Sequence, residues 1–243
     1  MKSYNKYNKY NKYNKYPVRH FIMIPFEDEK FLEEYNNLCN TLRSYNPKDF
    51  DEELLQKPSK LHISVLIFDL GGDQQKISKV CTILKEIQND IKQISEGNIT
   101  YKFGGYGAFD SFKEARVIYS KMEEDNSFIK LQQVIDLVIK RLLKENIIRE
   151  SELKDLHVIK EGNDSNPFYK IEMHLTLLNA TFLNKVLKKK NKKTIKHFDG
   201  RYINDCMQSI KLPDCPLKKI DFCVLREDKS KGKYELIQSF DLV

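Results

Sequence analysis

A six-residue pattern occurs twice in this chain, each time with a histidine and a hydroxyl side chain two residues apart. The copies are residues 61–66 and 173–178, and both read apolar, His, apolar, hydroxyl, apolar, apolar. Their polar residues are His62, Ser64, His174 and Thr176. Because side chains alternate between the two faces of a strand, the histidine and the hydroxyl of each copy point the same way. Two such strands brought together would place two imidazoles and two hydroxyls around one small space.

That set of groups predicts metal-free acid–base chemistry on a phosphodiester. One imidazole would take a proton from the attacking hydroxyl or water, and the other would protonate the leaving oxygen, since free imidazole has a pKa of about 6.5. Ser64 and Thr176 would donate hydrogen bonds to the phosphoryl oxygens. The sequence does not show which histidine is the base. Further candidates for contact with the substrate are two cations, Lys60 and Arg201, and the aromatic residues Phe103, Tyr106 and Phe109.

The motifs alone leave a second interpretation open. The chain has five histidines, and a lone histidine on a strand is more often a structural residue with its hydrogen bonds satisfied than a catalyst. Both copies do lie in apolar runs with strand character, residues 61–70 and 171–180, and this context favours the catalytic interpretation. On the residues alone, the two interpretations have comparable weight.

Hydrophobic periodicity predicts alternating strands and helices along the chain. The predicted strands are residues 18–26, 60–70, 98–103, 115–122, 169–180, 218–226 and 234–242, and the predicted helices are residues 27–45, 73–94, 125–144 and a short segment near 201–207. Such a series with two equivalent motif strands predicts an α+β fold, with lobes around a cleft.

Two further segments have competing interpretations. Residues 104–107, Gly-Gly-Tyr-Gly, fit the nucleic-acid-gripping loop of a KH domain, but that loop joins two helices and strand-like sequence precedes this one, so a tight turn in the sheet is predicted. Residues 188–193 are a dense basic run after the second motif. A solvated loop, a nuclear import signal and an RNA contact are equally weighted interpretations of that run.

Composition sets the class of protein. The chain has 243 residues, a hydrophobic fraction of 40% and a net charge of +7, which suits a core of ordinary size and a polyanionic partner. Five scattered cysteines without a C-x-x-C pair predict reduced thiols, and no apolar run is long enough to span a membrane. We therefore expect a soluble, cytoplasmic or nuclear monomer, with a disordered Tyr-Asn-Lys tail over residues 1–16 and one domain over residues 17–243.

No cofactor or metal site is predicted. The sequence contains no Walker loop, HExxH, G-x-S-x-G or zinc-type spacing. Any phosphodiesterase mechanism must therefore rest on side chains.

The paired motifs resemble those of the 2H phosphoesterases, the superfamily of the 2',5' RNA ligase-like proteins and cyclic nucleotide phosphodiesterases. Residues 19–25, 103–109, 117–121 and 144–148 resemble the branch that includes the central domain of A-kinase anchoring protein gamma and activating signal cointegrator 1 complex subunit 1, and residues 198–201 are most similar to the cointegrator subunit. The resemblance covers about residues 18–242.

The resemblance implies two pseudo-symmetric α/β lobes with antiparallel sheets flanking a central cleft, each lobe supplying one motif. It implies a metal-independent phosphodiesterase for RNA, on 2',5'-linked oligoribonucleotides or 2',3'-cyclic phosphates. The alternative is a non-catalytic RNA- or nucleotide-binding module of a cointegrator-like nuclear complex. Neither the KH module of the cointegrator subunit nor the anchoring helix of the kinase-anchoring proteins is evident here, so neither scaffolding role is expected.

Overall fold

The computed structural model describes residues 19–96 and 98–242, and in them eleven strands and six helices. The strands are β1 Arg19–Pro25, β2 His62–Asp69, β3 Ile99–Tyr101, β4 Phe103–Phe109, β5 Val117–Met122, β6 Ile159–Asn163, β7 Asn166–Lys170, β8 His174–Asn179, β9 Cys215–Leu217, β10 Lys219–Asp228 and β11 Lys233–Asp241. The helices are α1 Glu29–Tyr45, α2 Gln74–Glu86, α3 Gln88–Ile94, α4 Asn126–Lys144, α5 Ala180–Lys189 and α6 Arg201–Met207. The predicted disordered tail, residues 1–16, lies outside the described residues.

Seven strands form one antiparallel sheet in the order β11-β10-β1-β2-β8-β5-β4. Among the described residues, β2 and β8 share a single registered pair, Ile63 with Leu175, whereas the β1–β2 and β5–β8 ladders run much further. The sheet is therefore two half-sheets, one of four strands and one of three, that meet at one point. This confirms the predicted α+β fold with two lobes of antiparallel strands.

The helices close one face of the sheet. Apolar residues of α1, α2 and α4 share one buried cluster with the inward residues of both half-sheets, including Ile63 and Leu175. Each of the three helices starts at an aspartate whose carboxylate accepts hydrogen bonds from first-turn amides: Asp28, Asp73 and Asp125. The opposite face carries a much smaller apolar cluster around Phe21 and Met23. This second face is the one left to bind a ligand.

Two predicted elements differ from the structure. The tight turn predicted at residues 104–107 is wrong, because these residues belong to β4; a bulge between Phe103 and Tyr106, with Gly105 at φ +98°, shifts the ladder there. The predicted helix 73–94 is two helices that meet at Ile87, whose ψ is near 2°. That bend keeps Ile87 and Ile91 in the core.

The region of the second motif also differs from the prediction. The predicted strand 169–180 is split, because β7 pairs with β6 in a separate hairpin and β8 alone joins the main sheet. After β8 comes α5, which was not predicted as a helix and which includes the first two residues of the basic run 188–193. The Asn179 side chain caps this helix by accepting a hydrogen bond from Thr181 N at 2.8 Å, and Leu183 is buried.

Candidate active site

The four motif residues lie on one face of the sheet, around the Ile63–Leu175 pair. Ile63 and Leu175 are fully buried and point into the core. In an antiparallel ladder, the residues that flank this pair point to the other face, with position 62 next to position 176 and position 64 next to position 174. The two histidines are thus placed diagonally across the seam between the half-sheets, each next to the hydroxyl of the opposite motif.

His62 is held by its own strand and by two aromatic rings. Its Nδ1 donates to the Lys60 carbonyl oxygen at 2.7 Å. Since that oxygen can only accept, Nδ1 carries the proton of the neutral ring, and Nε2 accepts from the Ser64 hydroxyl at 3.0 Å. The edges of Phe21 and Tyr234 meet the ring at centroid distances of 5.5 and 5.3 Å. Nε2 is therefore the basic atom that remains for a substrate.

His174 has the same arrangement in the other half-sheet. Its Nδ1 donates to the Glu172 carbonyl oxygen at 2.9 Å, which again makes Nε2 the basic atom. Phe109 and Tyr119 contact the ring at centroid distances of 4.9 and 5.3 Å. In the part of the chain that the structure describes, no bond from Thr176 to His174 matches the one between Ser64 and His62. The site is therefore pseudo-symmetric in its backbone anchors but not in its hydroxyl contacts.

Burial makes both histidines weaker bases than free imidazole. It lowers the pKa of His62 to about 4, against the hydrogen bond to the Lys60 carbonyl, and the charge of His174 lowers it further. Burial also lowers the pKa of His174, where the Glu172 carbonyl and carboxylate oppose the effect. Since positions 62 and 174 flank the Ile63–Leu175 pair on one face, the two rings are close enough for His174 to lower the pKa of His62. Because the Glu172 carboxylate favours the protonated form of His174, whereas desolvation and His174 disfavour the protonated form of His62, a proton shared by the pair resides preferentially on His174.

Two of the predicted substrate contacts lie apart from this face. Tyr106 packs on the main core, and its hydroxyl donates to the Ile210 carbonyl at 2.7 Å. Arg201 is exposed, and its guanidinium forms a two-nitrogen contact with Asp199, at 2.6 Å for the shorter bond. The structure does not bring either side chain to the histidines. Alternation along β4 explains Tyr106, because it puts Phe109 rather than Tyr106 on the site face.

A glycine on β4 makes room for the aromatic wall beside His174. A Cβ atom at Gly107 would lie 2.7 Å from Cζ of Tyr119 and 2.8 Å from Cε of Lys121. Lys121 is exposed and pairs across the ladder with His174. Sequence reasoning missed Lys121, Tyr119, Phe21 and Tyr234, although alternation from a correctly placed β5 would have indicated the first two.

The family model for the AKAP7 2'5' RNA ligase-like domain matches residues 18–242. The chain belongs to this family. It is therefore a member of the 2H phosphoesterase superfamily, as the paired motifs predicted. No curated protein sequence matches the chain.

Solved structures of other superfamily members match this 2H phosphoesterase over nearly its whole length. Escherichia coli LigT in complex with ATP has 11% identity and a TM-score of 0.48, covering 94% of this chain and 99% of that one. TT0787 of Thermus thermophilus has 12% identity and a TM-score of 0.48, with coverages of 93% and 98%. Kluyveromyces marxianus Usb1 with uridine monophosphate has 11% identity and a TM-score of 0.47, with coverages of 93% and 98%.

Lys60 links the first motif of the phosphoesterase to its surroundings. Its carbonyl holds His62, and its ammonium lies 5.4 Å from the centre of the Tyr234 ring and 2.8 Å from Oε2 of Glu227. The side chain of Lys60 is only 11% exposed. Of the predicted substrate contacts, Lys60 lies beside His62, and Phe109 lies beside His174.

A cavity of about 540 Å³ opens next to Lys60 and Tyr234, between β1, β10 and β11. Its walls combine apolar side chains such as Met23 with charges that pair with one another, as Lys219 does with Glu27 at 2.8 Å. The four motif residues are not among the described residues that line it.

Two observations bear on other classes of site. No group of three or more His, Cys, Asp or Glu side chains in the described ranges is arranged to hold a metal ion. Nor does any helix within those ranges combine the length and apolar character needed to cross a membrane.

Proposed function

We propose that this protein is a metal-independent phosphodiesterase for RNA-type phosphodiesters, with His62 as the base and His174 as the acid. The observation that supports it is the pair of histidines on one face, each with Nδ1 bound to a backbone carbonyl and Nε2 left for the substrate. Two opposed Nε2 atoms supply the two proton transfers that the reaction needs.

The assignment of roles follows from the two environments. The base must be neutral, and His62, with a pKa of about 4, is neutral over almost the whole physiological range. The acid must be protonated, and His174 is the ring on which a single proton resides preferentially. A bound phosphodiester is an anion, and its charge favours the protonated imidazole further. The roles reverse when the reaction runs in the opposite direction.

On a 2',5' linkage, the neighbouring 3'-hydroxyl attacks phosphorus. His62 Nε2 takes the hydroxyl proton as the new P–O bond forms, and His174 Nε2–H protonates the 5'-oxygen as its bond to phosphorus breaks. The products are a 2',3'-cyclic phosphate and a free 5'-hydroxyl. Ser64 and Thr176 donate to the non-bridging oxygens, so Ser64 must turn away from His62 when substrate binds.

We place short 2',5'-linked oligoribonucleotides first as substrate and 2',3'-cyclic phosphates second. In a 2',5' linkage the attacking hydroxyl is already beside the phosphorus, so proximity supplies much of the rate. The preference over cyclic phosphates comes from membership of the AKAP7 2'5' RNA ligase-like family. With water as nucleophile, the same groups would open a cyclic phosphate.

The test is product analysis on matched 2',5'- and 3',5'-linked adenylate trimers, a DNA trimer and a 2',3'-cyclic nucleotide, each with and without EDTA. We expect cleavage of the 2',5' trimer, no reaction of DNA, and no loss of rate with EDTA. Preferential cleavage of the 3',5' trimer would contradict the preference for 2',5' linkages, and cleavage of DNA would contradict attack by a ribose hydroxyl. Binding of every RNA without turnover would instead indicate a nucleotide-binding module.

A further inference from the structure

Two lysines form ion pairs with the Glu227 carboxylate beside His62, and two more lie on the neighbouring helix α5. Lys57 and Lys60 belong to the turn before β2, and their ammonium groups lie 2.9 and 2.8 Å from the two carboxylate oxygens of Glu227 on β10. Lys185 and Lys189 belong to α5. We call Lys57, Lys60, Lys185 and Lys189 the lysine cluster.

Backbone contacts bring the two segments together. Gln56 N donates to the Leu177 carbonyl at 2.8 Å, and Leu55 forms a bridge with Leu178, so the turn before β2 runs along the end of β8. Helix α5 starts at Ala180, immediately after β8. It packs against residues 52–54, so the helix that carries Lys185 and Lys189 lies beside the segment that leads into the turn.

Lys185 is the side chain on which this arrangement shows most clearly. Partial desolvation comes first in lowering its pKa, and the charges of Lys60, Lys189 and Lys57 lower it further, while Glu227 opposes them. The lowered pKa agrees with the packing of α5 against residues 52–54, which brings this helix to the segment that carries Lys57 and Lys60.

The lysine cluster holds an excess of three positive charges around Glu227, and the basic run 188–193 extends it at the end of α5. Like charges at this spacing repel one another, and an anion removes that cost. The cluster extends from the cavity, which Lys60 lines, to α5. It lies next to His62, whose ring would contact the scissile phosphate. The negative groups that lie at regular spacing next to a scissile phosphodiester are the phosphates of the adjoining RNA backbone.

We propose that the lysine cluster binds the backbone phosphates of single-stranded RNA that continues from the scissile phosphodiester past His62 onto α5. The inference rests on the proposed function and narrows its substrate to an oligoribonucleotide rather than a mononucleotide. Glu227 occupies the position of one phosphate between Lys57 and Lys60 when no RNA is bound. The basic run 188–193 is then an RNA contact.

Binding is measured first, without turnover. The probe is a fluorescent single-stranded 2',5'-linked oligoadenylate with 3'-O-methyl groups, which lacks the attacking 3'-hydroxyl, titrated by anisotropy over a range of salt concentrations. The Lys185→Gln/Lys189→Gln variant should weaken binding roughly tenfold and reduce the slope of log affinity against log salt by about 1.4, or about 0.7 for each lost phosphate contact. Both side chains are exposed, and an unchanged melting temperature verifies the fold.

Two further variants sharpen the binding test. Lys85→Gln/Lys154→Gln removes the same charge from exposed sites on α2 and after α4, and should leave affinity and slope close to those of the unaltered protein. Glu227→Gln should tighten binding severalfold, because it removes the carboxylate that competes with phosphate. No binding by the unaltered protein, equal effects of the two double variants, or weaker binding by Glu227→Gln would each overturn the proposal.

A kinetic measurement separates this proposal from the function on which it rests. The ratio of kcat/KM for a cleavable oligomer to kcat/KM for a 2',3'-cyclic mononucleotide should fall about tenfold in Lys185→Gln/Lys189→Gln. If the protein cleaves neither substrate but binding still depends on the lysine cluster, the proposed function is wrong and RNA binding by the lysine cluster is supported. If it cleaves both substrates and the ratio does not change, RNA binding by the lysine cluster is wrong and the proposed function is supported.

Discussion

The carbonyl group two residues before each motif histidine determines how its ring is used. Lys60 and Glu172 accept the Nδ1–H bonds at 2.7 and 2.9 Å, through the backbone rather than through their side chains. A change in either side chain therefore leaves the tautomer in place. A change in the histidine removes a proton-transfer group altogether.

The histidine substitutions give the most direct prediction at this scale. His62→Ala or His174→Ala should lower kcat by about 10²–10⁴-fold, the range for loss of a general acid or base. Ser64→Ala and Thr176→Ala should each lower it less, because several donors share the phosphoryl oxygens. Single-turnover assays on the best substrate, with circular dichroism to verify folding, measure this. Near-normal turnover in either histidine variant would end the proposed mechanism.

The pH dependence of kcat/KM follows from the two lowered pKa values. The productive free enzyme has His62 neutral and His174 protonated. The first condition fails below about pH 4, and the second fails above a pKa that burial has moved below its ordinary value of about 6.5. We therefore expect a bell-shaped profile of kcat/KM with its maximum on the acid side of pH 6.5. A profile that keeps rising through neutral pH would show that another group is the base.

The sequence located the motif residues and not the rings that enclose them. Alternation along a strand places His62 and Ser64 from local sequence alone. The enclosing rings come from other strands, and bulges in the ladders of β1, β4 and β5 change which side chains face the site. Residues 104–109 were not predicted as a strand, and so the alternation that turns Tyr106 to the core and Phe109 to His174 was missed. Arg201 was also predicted as a substrate contact, but its guanidinium donates to the carboxylate of Asp199, only two residues away.

At the scale of elements, β4 controls the wall beside His174. Gly107→Ala should drive Tyr119 away from His174, since the new Cβ would lie 2.7 Å from the Tyr119 ring. We expect kcat to fall about tenfold through misplacement of the acid, and stability to fall by about 1–3 kcal/mol through overpacking. Both are measurable by kinetics and chemical denaturation.

The matched control for β4 is Gly71→Ala in the turn after β2. A Cβ there meets no atom within 4 Å, but the residue has φ +60°, so the substitution strains the backbone without touching the site. It should lower stability by about 1 kcal/mol and leave kcat unchanged. Equal kcat in both variants would show that the Tyr119 ring does not position His174.

Elements whose apolar residues recur at a regular period were predicted. Elements whose boundaries depend on contacts with distant parts of the chain were not. Helices α1 and α4 have apolar stripes and aspartate caps that local sequence displays. Helix α5 also has a cap at Asn179, and its buried residues Ala180 and Leu183 have helical spacing. Its lysines drew attention to the basic run 188–193 instead, and the helix was not predicted. The bend at Ile87 has no proline or glycine to mark it, and only packing of the whole domain produces it.

At the scale of the molecule, the site lies where the two half-sheets meet at Ile63 and Leu175. Each lobe contributes one histidine, so the distance between the two bases depends on how the lobes are joined. The repeated motif predicted two lobes and one cleft. It did not predict that β2 and β8 share a sheet, because the choice of strand partner depends on contacts far apart in sequence.

Burial of His62 also makes the stability of the whole domain depend on pH. The folded-state pKa of His62 is about 4 and the unfolded value is about 6.5. Above pH 6.5 both states therefore carry the neutral ring, and its titration does not reduce the unfolding free energy. Between about pH 6.5 and 4 the unfolded chain binds a proton that the folded chain rejects, which costs up to about 3 kcal/mol of unfolding free energy. Below that window this ring causes no further loss.

His62→Gln removes this one titration and leaves every carboxylate in place. The difference in unfolding free energy between the unaltered protein and His62→Gln should therefore shrink, or change sign, as the pH falls from about 7 to 4, since only the unaltered protein carries the penalty of a buried histidine. Urea denaturation at a series of pH values measures it. Parallel curves for the two proteins would mean that His62 keeps its ordinary pKa when folded. In that case His62 would no longer be assigned as the base on the ground of its pKa, and the two histidines would be equivalent candidates for each role.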